Sequence, residues 1–169
     1  AALRRSLEVG LIVLVVSVIA GTAFAILFSY GKVKGGRAIE LILALPVAIP
    51  GVVLGITMVL ACQVLHIPTG LPRVVVGHAT FVMPVIMMIV LARLRRLDPA
   101  LMEAAQDCGA DRFRSFVHVL LPLIGGAILG GALLGFTLSV DEVVITLFLT
   151  GVEPTLPVWV WNQMRFGFT

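Results

Sequence analysis

Side chains that could do chemistry are sparse in this sequence, and one group of them follows its last long apolar run. Asp141 and Glu142 end that run, and Trp159 and Trp161 stand further along the chain. Carboxylates and aromatic faces together suit a cationic ligand, so these four residues are candidates for contact with a polar solute. The plainer interpretation is that tryptophan prefers membrane interfaces and that two adjacent acids point to different sides of a helix.

A second group lies in the charged stretch EAAQDCGADRFRSFVHVLLP, Glu103 to Pro122, between two apolar runs. Asp98 followed by Pro99 is typical of a helix start. Gly109 is a natural left-handed helix end, and Asp111 can cap a second helix that continues toward the next apolar run. The pattern predicts a short helix, a glycine turn and a second helix.

The short helix would present both charge and a small apolar surface. Glu103 and Asp107 lie one turn apart on the same side, and Leu101, Ala104 and Ala105 supply the apolar part. Such a surface could fill a groove on a soluble partner, with Glu103 meeting a basic side chain. The competing interpretation is a solvated connecting loop whose charges face water, and the residues alone leave both open.

Sequence signatures of catalysis are absent. There is no GxxxxGK[ST] phosphate-binding loop, no HExxH motif, no Ser/His/Asp arrangement and no carboxylate pair at hydrolase spacing. The two cysteines, Cys62 and Cys108, have neither CxxC spacing nor a disulfide framework. We therefore expect no catalytic residue, no metal site and no bound cofactor on this chain.

Composition indicates that lipid surrounds most of the chain. Hydrophobic residues make up 60% of it and charged residues 12%, whereas globular domains carry about 25% charged residues. Crossing a bilayer core takes roughly 20 apolar residues, and four uncharged runs meet that length: Val9–Phe28, Leu41–Leu65, Val74–Ala92 and Val119–Val140. We predict an all-α, polytopic transmembrane helix bundle rather than a soluble protein with four buried helices, because too little polar surface remains to cover such helices.

Basic residues set the expected orientation, because cytoplasmic loops carry an excess of lysine and arginine. Alternating spans place eight of the 12 basic residues on one side, which we expect to be cytoplasmic: Lys32, Lys34, Arg37, Arg93, Arg95, Arg96, Arg112 and Arg114. The other four are Arg4, Arg5, Arg73 and Arg165. Topology thus explains the net charge of +3 without a nucleic-acid partner, and a start outside the membrane predicts a further span before Ala1.

Small residues and prolines are expected to shape the packing of the spans. Glycines recur four residues apart at Gly51/Gly55, Gly126/Gly130 and Gly131/Gly135. This spacing allows close helix approach in lipid, whether for static packing or for sliding. Pro46, Pro50 and Pro84 are fixed kinks or hinges. We interpret His78 as a hydrogen-bonded packing residue rather than a proton relay.

The Glu103 to Pro122 stretch resembles the EAA motif of permease subunits in ABC-type importers. That motif runs Glu-Ala-Ala, three residues, Gly, nine residues, then Ile, any residue, Leu-Pro. The matching residues here are Glu103, Ala104, Ala105, Gly109, Leu121 and Pro122, and Val119 replaces the isoleucine. In that family the element is a coupling helix that docks in a cleft of a cytoplasmic ATPase, so the resemblance implies that these residues couple the chain to an ATPase.

Two later stretches, Phe136 to Gly151 and Thr155 to Gly167, resemble the second permease subunit of spermidine/putrescine importers. The shared features are an S-x-D-[DE]-x-V pattern at the end of a span, a T-L-P loop and an R-F-G-like segment. The resemblance implies a type I ABC importer permease for polyamines, extended polycations that carboxylates and aromatic faces would contact. Members have six spans, so we expect a fragment with about four, lacking a first and a last.

The same resemblance implies partners and a division of the chain. The partners are cytoplasmic ATPase subunits holding ATP and magnesium, a second permease subunit, a periplasmic substrate-binding protein and the lipid of the bacterial inner membrane. Residues 1–169 would form one permease domain, with a cytoplasmic coupling-helix region at 98–121 and an outer, partly re-entrant region at 139–169. The alternatives are the same machinery for another solute such as iron or thiosulfate, a channel or secondary transporter that needs no ATP, and a structural membrane subunit.

Overall fold

The computed structural model describes residues 1–31, 33–98 and 100–167, and every regular element among them is helical. The helices are α1 Ala2–Tyr30, α2 Gly36–Ala48, α3 Gly51–Val64, α4 Leu71–Leu94, α5 Ala100–Asp107, α6 Arg112–Ser115, α7 Leu121–Asp141, α8 Val144–Leu149 and α9 Leu156–Phe166, with a π-helical segment, Phe116–Leu120, between α6 and α7. The predicted all-α class is confirmed. Lys32 and Pro99 lie outside the described residues.

Within the described residues, three helices are long and apolar enough to cross a membrane: α1, α4 and the continuous stretch 112–141 that ends in α7. α1 has 29 residues and is about 43 Å long at 1.5 Å per residue, more than the bilayer core of about 30 Å. The fourth candidate is composite, because α2 and α3 are bent by 112° at the break between them.

The predicted second span, Leu41–Leu65, is therefore not one continuous helix. The break falls at Ile49 and Pro50, whose ψ angles are 133° and 136°. Proline has no N–H and disfavours helical backbone in the residue before it, so a helix that reaches Ile49 ends there. Pro46, by contrast, lies inside α2, and α4 continues through Pro84 without a break.

The first and fourth helices, α1 and α4, run in the same direction. A Cβ built on Gly21, about two thirds of the way along α1, would lie 3.3 Å from Cβ of Ile86, about two thirds of the way along α4. A Cβ built on Gly70, just before α4, would lie 3.9 Å from an Arg5 guanidinium nitrogen at the start of α1. Because α1 and α4 are parallel, α2 and α3 together carry the chain back across the bundle. The bent pair is therefore a broken span.

Helix α7 runs against α1 and α4. Its last turn meets the first part of α1, since a Cβ built on Gly10 would lie 3.1 Å from Cγ2 of Val140. Its first turn meets the end of α4, where Arg93 Nε donates to the Leu123 carbonyl at 3.2 Å. The fully buried core lies where these three helices meet, and Val13, Ile86 and Ile124 belong to it.

The bundle has two ends, and the basic residues divide between them as predicted. At the end where α4 leads into α5, called here the α5 end, Arg95 forms a bidentate ion pair with Glu40 at 3.1 and 2.6 Å. At the opposite end, called the α8 end, Arg5 pairs with Glu153 at 3.2 Å. Arg37 and Arg93 also lie at the α5 end and Arg4 at the α8 end, as the predicted alternation of loops requires of these residues.

The four-residue glycine spacings have different roles. On α7, a Cβ built on Gly135 would lie 2.8 Å from Cγ1 of Val82 in α4, whereas one on Gly126 or Gly130 would meet nothing within 4 Å. On α3, a Cβ built on Gly55 would lie 2.6 Å from the Phe148 ring of α8. Static packing therefore accounts for Gly135 and Gly55, while Gly126 and Gly130 face open space on this chain.

Candidate functional site

The short helix α5 stands at one end of the bundle and has no buried residue. Glu103, Ala104 and Leu101 are exposed, and Ala105 is half-buried. Met102 faces the other way and packs against the hydrophobic core. The predicted charge and small apolar surface of this helix are thus exposed to solvent. Met102 attaches the opposite side of the helix to the bundle.

Aspartates begin both helices of this region, as predicted. Asp98 Oδ1 accepts from the Ala100 N–H at 3.0 Å, and Asp111 Oδ1 accepts from the Arg114 N–H at 2.7 Å. Each bond satisfies an N–H that a helix start leaves without an intrahelical partner. Both predicted caps are confirmed, and they fix where α5 and α6 begin.

The end of α5 is a glycine turn, also as predicted. Gly109 has a φ of +86°, a region that glycine adopts readily and other residues rarely do. The Gly109 N–H donates to the Gln106 carbonyl at 2.8 Å, and the Ala110 N–H donates to the Ala105 carbonyl at 3.1 Å. This pair of bonds is a Schellman arrangement. The second alanine and the glycine of the motif therefore belong to one turn, which gives a physical reason for their spacing.

Beyond the glycine turn at residues 108–111, the connection from α5 to the bundle is helical. α6, the π-helical segment and α7 follow one another without a loop, and the Leu121 N–H bonds to the Phe116 carbonyl to close the π turn. Leu120 is buried in the core, whereas Leu121 and Pro122 are exposed. One hydrogen-bonded turn and a continuous helical stretch therefore separate α5 from α7.

At the α8 end, Asp141 and Glu142 differ in their surroundings. Glu142 Oε1 accepts from the Ile145 N–H at 2.9 Å, and the Glu142 carbonyl accepts from the Thr146 hydroxyl at 2.8 Å, so this residue caps α8. Asp141 is exposed and has no ion pair or hydrogen bond from its side chain to any residue that the structure describes. Asp141 is therefore the carboxylate of the two that is free to meet a ligand.

The two tryptophans lie on α9, which packs against α1. The Leu156 N–H at the start of α9 donates to Ser6 Oγ of α1 at 2.8 Å. Trp159 lines an open groove of about 880 Å³ that also includes Arg4 of α1, and Trp161 is exposed. The structure thus places Trp159 beside α1 and the two acids at the junction of α7 and α8.

A buried cluster near Asp141 was only partly foreseen. His78 Nδ1 lies 2.9 Å from Ser139 Oγ, and His78 Nε2 lies 2.8 Å from Thr146 Oγ1. The interpretation of His78 as a hydrogen-bonded packing residue is confirmed. The sequence alone does not predict the roles of Ser139 and Thr146. Their closeness in sequence to the two acids is the only signal: Ser139 lies two residues before Asp141, and Thr146 lies four residues after Glu142.

Sequence comparison identifies the family. The profile of the binding-protein-dependent transport system inner membrane component family matches residues 11–166. The chain belongs to this family. As an inner membrane component with several apolar helices, it is a multi-pass protein of the inner membrane.

Proteins similar to the chain over most of its length include polyamine permeases. The chain is 32% identical over 174 residues to the putrescine transport system permease protein PotI of Escherichia coli K12, covering 98% of the chain and 62% of that protein. It is 29% identical over 154 residues to the spermidine/putrescine transport system permease protein PotC of Haemophilus influenzae, covering 90% of the chain and 60% of that protein. The chain thus spans about three fifths of the length of these relatives.

Proposed function

We propose that this chain is a permease subunit of an ATP-driven importer, in which it forms part of the translocation pathway and couples to a separate ATPase. The observation that carries the proposal is the exposed α5, with the motif residues Glu103 and Ala104 uncovered and Gly109 closing a Schellman turn. The two caps, the Schellman turn and the helical continuation from α6 into α7 support an ordered docking helix over a solvated loop.

In the proposed mechanism, two such permease subunits form the pathway and two ATPases close beneath them when ATP binds. Closure draws the α5 helices of the two permeases together. The Schellman turn joins α5 to α6, and the chain is helical from α6 into α7, so in this proposal α7 moves with α5 and the spans change from an inward-facing to an outward-facing arrangement. The α5 end would face the cytoplasm, in agreement with its larger group of basic residues, and the α8 end would receive substrate from a periplasmic binding protein.

The proposed cargo is a polyamine. Two observations support it: relatives of this family carry putrescine and spermidine in their names, and Asp141 offers an exposed carboxylate at the α8 end. An anionic cargo such as thiosulfate would predict basic residues within the apolar runs, and the sequence has none there. Asp141 is the proposed contact, with Trp159 and Trp161 as candidate cation-binding faces.

Crosslinking tests the docking of α5. Ala104→Cys in a Cys108→Ala background is expected to give one specific disulfide or bismaleimide adduct with the cytoplasmic ATPase when the assembled transporter is treated in membranes. The Cys108→Ala change is needed because Cys108 is exposed next to α5, whereas Cys62 is buried.

The matched control is Val152→Cys, at the α8 end. Val152 is 100% exposed, so its thiol is at least as reactive toward the reagent, and it is expected to give no ATPase adduct. Two results would contradict docking through α5. One is equal ATPase adducts from both positions, and the other is no adduct from position 104 in a complex that still imports substrate.

A further inference from the structure

The His78 cluster, composed of His78, Ser139 and Thr146, joins three helices near the α8 end of the bundle. All three side chains are buried, and His78 is 1% exposed. The histidine lies on α4, Ser139 is near the end of α7 and Thr146 is in α8. Its two hydrogen bonds link residues 61 and 68 positions apart in sequence, so the cluster adds a polar link from α4 to both α7 and α8, which also pack against α4.

The hydrogen bonds of the cluster specify one tautomer of the histidine. The Thr146 hydroxyl has a single hydrogen, which it donates to the Glu142 carbonyl at 2.8 Å. Thr146 Oγ1 can therefore only accept from His78, so Nε2 carries the hydrogen. A neutral imidazole has one donor and one acceptor nitrogen, and Nδ1 consequently accepts from the Ser139 hydroxyl. Both ring nitrogens are satisfied, as a buried polar group requires.

The turn held by this cluster carries Asp141. Ser139 fixes the chain two residues before Asp141, and Thr146 fixes it in the first turn of α8. Next to His78, the absence of a side chain on Gly77 lets α8 lie against α4, since a Cβ there would collide with the Leu149 side chain. The backbone on both sides of Asp141 is thus fastened to α4, while the Asp141 side chain itself stays exposed.

We propose that His78 is a positioning residue, which fastens the α7–α8 turn to α4 and so holds the Asp141 carboxylate in place for a cationic substrate. The inference rests on the proposed function, in which Asp141 contacts the polyamine. His78 itself is buried and does not touch the substrate. Its loss is therefore expected to alter the apparent affinity for substrate more than the maximal rate of transport.

The test is putrescine uptake by the assembled transporter, with KM and the maximal rate per folded permease measured separately. His78→Phe keeps a buried ring but removes both hydrogen bonds, and it is expected to raise KM about tenfold, as the loss of buried hydrogen bonds that leaves partners unpaired would. His78→Gln is expected to restore most of the affinity, because its amide N–H can reach Thr146. Asp141→Asn is expected to raise KM as well, and adding His78→Phe to it should give no further increase.

Controls separate positioning from stability. Thr146→Val removes the acceptor for Nε2 and is expected to raise KM like His78→Phe, which keeps the test usable if the histidine variants fail to fold. Thr57→Val is the matched control, because the exposed Thr57 hydroxyl donates only to the Val53 carbonyl of its own helix at 2.8 Å; its KM should be unchanged.

Three outcomes would count against parts of this account. Additive effects of His78→Phe and Asp141→Asn on KM would overturn positioning through Asp141. Positioning would also be overturned if His78→Phe and Thr146→Val lowered only the amount of folded permease and left KM unchanged. An unchanged KM in Asp141→Asn alone would instead overturn the substrate contact assigned to Asp141 in the proposed function.

Discussion

Replacing Gly109 with valine is expected to abolish substrate import while the bundle stays folded. Gly109 has a φ of +86°, which a β-branched residue adopts only at a cost of about 1–3 kcal/mol. The turn is expected to rearrange, which would break the bonds to Gln106 and Ala105 and point α5 away from the ATPase. Import should fall about tenfold or more. A Cβ at this position meets nothing within 4 Å, so the spans should be unaffected.

Uptake and membrane abundance of the Gly109→Val permease are the measurements. Gly35→Val is the control for strain, since Gly35 also has a positive φ, +73°, in open space, but it begins α2 rather than ending α5. Gly35→Val is expected to retain most of the import. If both variants lose import equally, backbone strain at either glycine turn of the α5 end is enough to stop import. The specific role proposed for the α5 turn would then be wrong.

Replacing Gly21 with valine is expected to have the largest effect on stability. A Cβ on Gly21 would lie 2.9 Å from the Met83 carbonyl oxygen and 3.1 Å from the Met87 nitrogen. These are backbone atoms of α4, so the clash can be relieved only if α1 and α4 separate, and a larger residue in a packed core typically costs about 1–3 kcal/mol. We expect the melting temperature of the purified complex to fall by about 5 °C or more.

The control for this substitution is Gly125→Val in α7. It makes the same change in helix propensity as Gly21→Val, but a Cβ at Gly125 meets nothing within 4 Å. The melting temperature is measured in detergent as the temperature at which the monodisperse peak is lost. For Gly125→Val it should change little. Equal shifts for the two variants would mean that the close contact between α1 and α4 does not limit the stability of the bundle.

Local rules predicted the α5 region well because its geometry is set by its own residues. Asp98 and Asp111 cap helices by bonds to backbone N–H groups two and three residues on, and Gly109 adopts the left-handed conformation. The absence of a side chain is what permits that conformation at Gly109, and none of these features depends on distant packing. The same holds for the apolar runs, whose length and composition alone indicate α1, α4 and α7.

Features that depend on tertiary contacts were harder to foresee. The apolar run Leu41–Leu65 gives the same hydropathy whether it is straight or bent, and Pro50 permits a bend without requiring 112°. The different roles of Gly126 and Gly135 follow from which face of α7 meets α4. The link from His78 to Thr146 joins residues 68 positions apart, and no local pattern in the sequence shows that α8 folds back against α4.

The central claim is that a separate ATPase drives polyamine import through α5, and uptake by the reconstituted transporter tests it most directly. Full-length permeases, ATPase and binding protein are placed in vesicles, and entry of labelled putrescine is followed with and without ATP, in the presence of excess thiosulfate. The account predicts uptake that requires ATP, is not competed by thiosulfate and is lost in Glu103→Arg. Uptake that proceeds equally without ATP, or that is unchanged in Glu103→Arg, would contradict it.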